Sequence, residues 1–379
     1  MSMFTVFGVA YSFGAFFDPM AREFGTGRGA TSAVFAITAF LYFSLGAVTG
    51  AIADRVGPRK VLLFGAAFMG AGLLLTSGAS AIWIGYLTYG VGVGVATACG
   101  YVPMVAAVGG WYQRGRALAI GVAVTGIGFG TLAAAPLAAL LIARYGWRQT
   151  YVIFGIASFL VLVACAAFAR RPPAATTGNS LRLGAAIRTR EFGLMYACGL
   201  LTSFALFIAF VHVVPFAQSH GAAALPAAAL VGVIGAGSVA GRLALGGAAE
   251  RLGSVRAFQA AVAIVSFSFL VWLLAPGFWA LVVFALLLGV GYGGWVALSP
   301  TVSADLFGPE GLGGTVGALY TSAGVGALLG PPFAGFVVDR TGSYQPAIVL
   351  GLILAIVAAG LVAYLPVRRR VHSSEVRID

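Results

Sequence analysis

Charged residues are scarce in this chain of 379 residues, and their scarcity excludes a water-soluble globule. Only 8% of the residues are Asp, Glu, Lys or Arg, whereas 60% are hydrophobic and the mean hydropathy is +1.01. So few charges cannot cover a folded surface in water, and many apolar runs are long enough to cross a bilayer. The composition therefore predicts an integral membrane protein.

Metal ligands and catalytic groups are also scarce. The three cysteines, Cys99, Cys165 and Cys198, sit inside apolar runs, so they indicate neither a disulfide framework nor a metal site. The apolar runs hold no Ser-His-Asp set and no paired carboxylates, which argues against an enzyme. The runs YGVGVGVATACG and TGIGFGT have no preceding strand and no P-loop lysine, so their glycines predict close helix contacts and no nucleotide site. No metal or cofactor is expected.

Apolar runs, cut at charged and turn residues, predict an all-α membrane protein with twelve transmembrane helices. They lie near residues 1–20, 29–53, 61–79, 82–108, 116–143, 148–169, 191–217, 224–248, 255–275, 278–303, 312–338 and 343–366. The first residues lack a basic leading region and a small-residue cleavage site, so the first run is interpreted as a retained span.

One long polar stretch divides these helices into two equal sets. The segment RRPPAATTGNSLRLGAAIRTRE is rich in proline and arginine and lies near the middle of the chain. The expected domains are a six-helix bundle over 1–169, a cytoplasmic linker over 170–190, a second six-helix bundle over 191–366 and a cytoplasmic tail over 367–379.

The distribution of basic residues predicts the orientation. Sixteen of the 22 lie in loops after even-numbered helices or in the tail, five lie in loops after odd-numbered helices, and Arg242 lies well inside a predicted span. The even-loop face and both termini should therefore lie in the cytoplasm, as in a multi-pass protein of the inner membrane. The net charge of +12 then reflects the orientation of the chain in the membrane, and no nucleic-acid partner is expected.

The sequence repeats at a spacing of 196 residues. The segment GAIADRVGPRK begins at Gly50 and GGAAERLGSVR begins at Gly246. The same spacing pairs Asp54 with Glu250, Arg55 with Arg251, Thr125 with Thr321, Pro136 with Pro332 and Gly146 with Gly342. Between these pairs, Gly92, Gly94 and Pro103 match Gly289, Gly291 and Pro300 at a spacing of 197, which predicts a one-residue length difference. A parallel repeat of this kind places a substrate between the halves near the midplane.

The chain resembles the major facilitator superfamily over essentially its whole length. The resemblance is carried by the pattern G-x-x-x-D-R-x-G-x-R-K from Gly50 to Lys60, its weaker copy from Gly246 to Arg256, and the two sets of six spans. The cytoplasmic gating motif expected from it comprises Asp54, Arg55, Arg59, Lys60, Glu250 and Arg251. Asp54 can meet the positive N-terminal end of a neighbouring helix; the alternative is that all six are solvated loop charges.

Within that superfamily, the chain resembles the monocarboxylate transporter family and its bacterial oxalate and formate relatives. The resemblance rests on FGAFFDPMAREFGTGR, GYVPMVAAVGGWYQRGRALAIGVAVTGIGFG, FVHVVPFAQSHG and the arginine late in helix 8. The family's acidic-glycine signature before helix 1 is missing. Ala323 stands where oxalate carriers have a lysine, and Tyr11 and Ser238 stand where animal carriers have a lysine and an aspartate. These departures favour a small monocarboxylate and leave the proton site open.

Arg242 is the main candidate substrate residue. Its repeat mate is Gly46, so the architecture recurs without this charge, and every Asp and Glu lies in a loop, a tail or a helix end. An arginine at membrane depth needs a cavity or a partner, and a planar guanidinium suits a carboxylate. Snorkelling of Arg242 toward the cytoplasm is the alternative, because Glu250 follows it by about 12 Å of helix.

Other side chains are expected to line the site because they lie on helices that face the interface in this fold. The candidates are Tyr11, Tyr101, Thr125, Ser238, Tyr292, Trp295, Tyr320 and Ser322. Each is otherwise an ordinary packing residue. His212 is a candidate proton site or a structural histidine whose ring satisfies carbonyls freed by Pro215.

The predicted function is secondary active transport of a lactate-like or pyruvate-like monocarboxylate by alternating access, with a proton as a candidate co-substrate. A formate-type or oxalate-type anion exchanger is the alternative within the fold, and a carboxylate sensor that does not transport is the alternative outside it. The expected partners are the monocarboxylate and the lipid bilayer, and a monomer is expected.

Overall fold

The structure, a computed structural model, describes residues 1–112, 116–171, 183–308 and 312–366, and these residues fold into helices joined by short turns. The helices are α1 (Ser2–Tyr11), α2 (Phe13–Phe24), α3 (Arg28–Val56), α4 (Pro58–Ser77), α5 (Ile82–Gly85), a π turn (Tyr86–Val91), α6 (Gly92–Trp111), α7 (Arg116–Phe168), α8 (Leu183–Ala186), α9 (Arg190–Ser219), α10 (Ala224–Leu252), α11 (Ser254–Leu273), α12 (Phe278–Phe307), α13 (Leu312–Thr341) and α14 (Gln345–Ala363). The predicted all-α membrane fold is confirmed.

Three of the predicted spans differ in their local course. The first is broken at Ser12 into α1 and α2, with the Ser12 hydroxyl donating to the Val9 carbonyl. The fifth and sixth follow each other directly within α7, where Gly146, with φ 81° and ψ 163°, is not helical, so two helices meet at a kink inside the loop expected over 144–147. Within the described residues, ten helices are long and apolar enough to cross a membrane, and one of them holds both spans of α7. The predicted tail and most of the linker lie outside the described residues.

The repeat is visible in the backbone. Helices α3 and α10 share the same bounds at a spacing of 196, as do α4 and α11. Gly57 and Gly253, which end α3 and α10, have φ angles of 93° and 88°. Because side chains rarely adopt this conformation, glycine recurs at the same turn of each half.

The expected spacing of 197 in the fourth helix is wrong. Gly94 lies against Thr38 and Leu41, and Gly289 lies against Ile234 and Gly237, which are the 196-residue mates of that pair. The equivalent spacing there is therefore 195. The physical reason is the π turn at Tyr86–Val91, which adds a residue inside the helix of the first half.

The two halves meet along two seams, one between α3 and α13 and the other between α7 and α10. In the α7–α10 seam, Gly128 and Gly235 lie so close that a Cβ on Gly235 would overlap the Gly128 carbonyl. Small residues permit this approach of two backbones. The candidate site residues lie between these two seams, next to the broken first span formed by α1 and α2.

Candidate substrate site

Arg242 is buried between the halves, with 7% of its surface exposed. It lies on α10 directly after Gly241, where the absence of a side chain brings α10 against the Val290 carbonyl of α12. The Arg242 Nη1 group donates a hydrogen bond of 3.0 Å to the Val124 carbonyl of α7. A single arginine therefore bridges the α7–α10 seam, and it does not snorkel to the even-loop face.

The remaining edge of this guanidinium lies near the Tyr292 side chain. Arg242 Nε and Nη2 are buried and have no hydrogen-bond partner in the part of the chain that the structure describes. The ion pairs found there, Arg28 with Asp18 and Arg148 with Glu23, do not involve Arg242. Nε–H and Nη2–H point the same way, which is the arrangement that a carboxylate bridges with two parallel hydrogen bonds.

Tyrosines surround the guanidinium. The Tyr292 ring lies 5.8 Å from the Arg242 guanidinium carbon, close enough for a cation–π contact. The Tyr11 hydroxyl lies 2.9 Å from that of Tyr292 and 3.3 Å from that of Tyr42, so it joins both. The Tyr11 ring stacks on Phe210 of the second half at 4.4 Å between centroids. The broken first span thus contributes the centre of a hydrogen-bonded network at the interface.

A cavity of about 10 Å³ lies in the middle of this cluster, large enough for about one water molecule. Its lining comes from both halves and is largely aromatic: Phe7, Tyr11, Phe43, Tyr101, Ile127, Tyr292, Trp295, Val296 and Tyr320. A three-carbon acid would not fit in a cavity of this volume.

The structure brings together five of the expected lining residues, Tyr11, Tyr101, Tyr292, Trp295 and Tyr320. The other three do not line this cavity, and Arg242 lies next to its lining residue Tyr292 without lining it. The Thr125 hydroxyl donates to the Val122 carbonyl of its own helix, and that of Ser322 donates to Leu319. Ser238 is buried, and its hydroxyl has no partner among the described residues, so it bonds neither the guanidinium nor its own helix.

His212 lies apart from Arg242. Its Nε2 group lies 2.9 Å from the Pro331 carbonyl of α13 and donates to it, because a carbonyl can only accept. The expected partner was a carbonyl freed by Pro215, so that expectation is corrected. Nδ1 is buried without a partner in the described part of the chain, and the ring packs against Phe17 and Tyr344. A proton-binding role for His212 stays a prediction.

Tyr42 and Val124 are functional candidates that sequence reasoning missed. Tyr42 is the 196-residue mate of Ser238, so the repeat could have identified it. Val124 acts through its main-chain carbonyl, and no side-chain pattern signals that role.

The gating-motif residues lie at the even-loop face and are exposed, with Asp54 and Glu250 each at the end of a long helix. Neither carboxylate forms an ion pair within residues 1–112, 116–171, 183–308 and 312–366. Arg171 instead donates to the main-chain carbonyls of Asp54 and Arg55, at 2.6 and 2.5 Å. This contact ties the start of the linker to the motif.

At the odd-loop face, the halves are joined by a cluster that we call the latch: Arg28, Gly29, Asp339 and Tyr344. The Asp339 carboxylate accepts hydrogen bonds from the main-chain N–H groups of Arg28 and Gly29, at 2.8 and 2.9 Å. These are unpaired amides at the start of α3, where a negative charge is favoured. The Arg28 side chain donates to the Tyr344 hydroxyl at 2.5 Å. The α3–α13 seam is therefore closed at this face.

Removing the Tyr11 hydroxyl should loosen the tyrosine network. In Tyr11→Phe, the buried hydroxyls of Tyr42 and Tyr292 both lose a partner, so we expect the free energy of unfolding to fall by about 1–3 kcal/mol. Thermal unfolding in detergent measures this change. Tyr145→Phe is the matched control, because the Tyr145 side chain is exposed. Equal midpoints for the two variants would show that the network does not contribute to stability.

Comparison with known proteins gives matches over nearly the whole chain. Residues 1–275 and 248–377 match the family described as Major Facilitator Superfamily. The chain is 30% identical to monocarboxylate transporter 3 of Rattus norvegicus, over 90% of this chain and 74% of that protein. It is 29% identical to monocarboxylate transporter 13 of the same species, over 95% of this chain and 86% of that protein.

Solved structures show the same fold. A bacterial homologue of the human lysosomal transporter Spinster, in an inward-facing and occupied conformation, superposes with a TM-score of 0.72 at 18% identity, covering 95% of this chain and 94% of that one. The nucleoside transporter NupG superposes with a TM-score of 0.74 at 13% identity, covering 96% and 98%. At these identities the likeness establishes the fold alone.

Proposed function

Because the chain belongs to the major facilitator superfamily and to its monocarboxylate transporter family, we propose that it moves a small monocarboxylate across the inner membrane by alternating access. The members it resembles are transporters and not enzymes. In this proposal, the halves 1–169 and 191–366 rock about the central site. The termini and the even-loop face lie in the cytoplasm, and the odd-loop face lies outside.

The observation that carries the proposal is the free edge of Arg242. A buried cation with two unpaired N–H groups on one side, and with no acid beside it among the described residues, is stable only if something else supplies the negative charge. A substrate carboxylate supplies that charge and matches the spacing of the two donors. Tyr101, Tyr292, Trp295 and Tyr320 would then close over the rest of the molecule.

The charge count favours one carboxylate over two. A second carboxylate would bring an uncompensated charge into a cavity lined by Phe7, Phe43 and Ile127. Ala323, the residue in place of the oxalate carriers' lysine, is fully buried and brings no cation. A small monocarboxylate of the lactate or pyruvate type is therefore the proposed substrate.

Anion exchange is the second candidate mechanism, and one observation favours it over proton symport. No Asp or Glu in the part of the chain that the structure describes forms an ion pair with Arg242, and His212 contacts the latch residue Tyr344 instead of the central cavity. Because no proton acceptor lies beside Arg242 among the described residues, symport would require the proton to travel on the substrate or through His212. Without symport, a second anion must cross the membrane in the opposite direction in exchange for the substrate.

Uptake by purified protein in proteoliposomes tests the proposal. Wild type is measured with lactate, pyruvate, formate, acetate and oxalate, beside Arg242→Ala and Arg242→Lys. We expect saturable uptake of monocarboxylates, little uptake of oxalate, a loss of uptake in Arg242→Ala and a partial loss in Arg242→Lys. Accumulation driven by an imposed pH gradient identifies symport, whereas a requirement for internal anion identifies exchange. Specific binding with no flux would identify a sensor and contradict the proposal.

Breaking the latch should open the odd-loop end of the α3–α13 seam. In Asp339→Ala, the amides of Arg28 and Gly29 lose a charged acceptor whose hydrogen bonds contribute about 1.5–3 kcal/mol. We therefore expect deuterium exchange at the start of α3 to accelerate about tenfold or more. Asp305→Ala, at the even-loop face, is the control and should leave this exchange unchanged. Unaltered exchange in Asp339→Ala would show that the carboxylate does not hold the seam.

A further inference from the structure

A second and larger cavity opens at the odd-loop face. It has a volume of about 460 Å³, against about 10 Å³ for the central cavity. Its lining includes Asp18, Arg22, Arg28, Ala143, Gln218 and Ala224, contributed by both halves. We call this cavity the vestibule. It is large enough to hold a small organic acid, as ligand pockets of a few hundred Å³ are.

The repeat explains why the vestibule exists. The latch residues Asp339 and Arg28 have Ala143 and Ala224 as their 196-residue mates, and both alanines line the vestibule. The carboxylate that caps α3 from α13 therefore has no equivalent on α7 to cap α10. The α3–α13 seam is latched at the odd-loop face, and the α7–α10 seam is open there.

The vestibule carries one arginine, Arg22, that interacts with Asp18 electrostatically but forms no direct ion pair with a described residue. Arg28 lies 3.6 Å from Asp18 and bonds Tyr344, and Glu23 pairs with Arg148 at 2.7 Å. Arg22 lies in the last turn of α2, is exposed, and forms no ion pair with any described residue. Asp18 forms its direct ion pair with Arg28, so the exposed guanidinium of Arg22 keeps donors that an anion from solution can reach.

The vestibule and Arg242 belong to the same seam. Arg242 bonds Val124 of α7, and Ala143 lies on the same helix 19 residues later, about 28 Å along the axis. The tight approach of Gly128 to Gly235 lies between these two levels. The seam therefore has an arginine at its odd-loop mouth and another about 28 Å deeper, with closely packed glycines between them.

We propose that the vestibule is an outer binding station for the substrate carboxylate, with Arg22 as its cation, and that the α7–α10 seam is the side through which substrate passes. This inference rests on the proposed function. A cation at the mouth raises the local anion concentration and the rate of encounter, and salt screens this effect. Arg22 should therefore affect the capture of substrate from outside and leave substrate binding at Arg242 unchanged.

The test measures initial uptake into right-side-out vesicles for wild type, Arg22→Gln and Arg144→Gln, at low and high ionic strength. Arg144 is the matched control, because it is also an exposed arginine of the odd-loop face but does not line the vestibule. We expect Arg22→Gln to raise KM about threefold to tenfold at low salt with kcat unchanged, and to flatten the salt dependence. Efflux from inside-loaded vesicles should keep its KM.

A second variant installs the missing latch. Ala143→Asp places a carboxylate at the mate of Asp339 and should slow outside uptake, whereas Ala143→Leu adds bulk without charge and should slow it less. Ala143 is exposed, so the added carboxylate stays hydrated and the protein should fold.

The possible results distinguish a failure of the vestibule proposal from a failure of the proposed function. If wild type carries carboxylates but Arg22→Gln keeps its KM and salt dependence, or changes as Arg144→Gln does, the vestibule is not a binding station and the proposed function stands. If Ala143→Asp and Ala143→Leu behave alike, the open seam is not the route. If wild type carries no carboxylate in any condition, the proposed function itself fails.

Discussion

Replacing Arg242 with alanine will lower carboxylate uptake by at least about 30-fold. Truncating one partner of a buried, hydrogen-bonded charge pair costs about 2–5 kcal/mol, and each 1.4 kcal/mol is a factor of ten. The carboxylate would enter the cavity lined by Tyr11 and Trp295 with no cation to meet it. The loss is measured as kcat/KM for uptake into proteoliposomes.

The lysine variant separates charge from geometry. Arg242→Lys keeps the positive charge but cannot donate two parallel hydrogen bonds while also holding the Val124 carbonyl, so uptake should fall to an intermediate value. Arg144→Ala, at an exposed site, should transport as wild type does. Wild-type uptake in both Arg242 variants would remove Arg242 from the site. Elution as a single monodisperse species is required of each variant, because misfolded protein would give the same loss.

Replacing Gly241 should prevent correct packing of the helix that carries Arg242. A Cβ at Gly241 would overlap the main-chain carbonyl of Val290, and a backbone cannot give way as a flexible side chain can. We expect Gly241→Ala to lower the free energy of unfolding by about 1–3 kcal/mol, the usual cost of overpacking, and Gly241→Val to give little folded protein. Thermal unfolding in detergent and the yield of monodisperse protein measure these effects.

The same helix offers a matched control for this prediction. A Cβ at Gly246 would meet open space, so Gly246→Ala should leave stability unchanged or raise it by about 0.5–1 kcal/mol through the better helix propensity of alanine. If both alanine variants had equal stability, the close approach of α10 to α12 would not be needed for the fold.

The sequence was sufficient to predict the helices and the repeat, because both depend on hydropathy and on glycine positions along the chain. The predicted repeat spacing was wrong in the fourth helix, where one extra residue changes the register between the two halves. The π turn at Tyr86–Val91 has no hydropathy signal, so matching glycines at a spacing of 197 looked reasonable although the packing follows 195.

The candidate site was partly predictable for a related reason. Arg242 and the tyrosines on interface helices are visible as unusual residues in apolar runs. Whether a hydroxyl reaches the cavity depends on helix rotation, and Thr125 and Ser322 bond their own helices instead. The latch joins Arg28 to Asp339, which are more than 300 residues apart, and only the folded chain reveals that contact.

The contact between Arg242 and the Val124 carbonyl has a consequence for how this protein can diverge. A main-chain oxygen is present whichever side chain occupies position 124, so no ordinary substitution on α7 deprives the arginine of its acceptor. The residues around the cavity can therefore change, and with them the substrate that the proposed function assigns to it, while the guanidinium keeps its orientation. If Arg242 binds the substrate as proposed, substrate preference can change in evolution while this arginine stays in place.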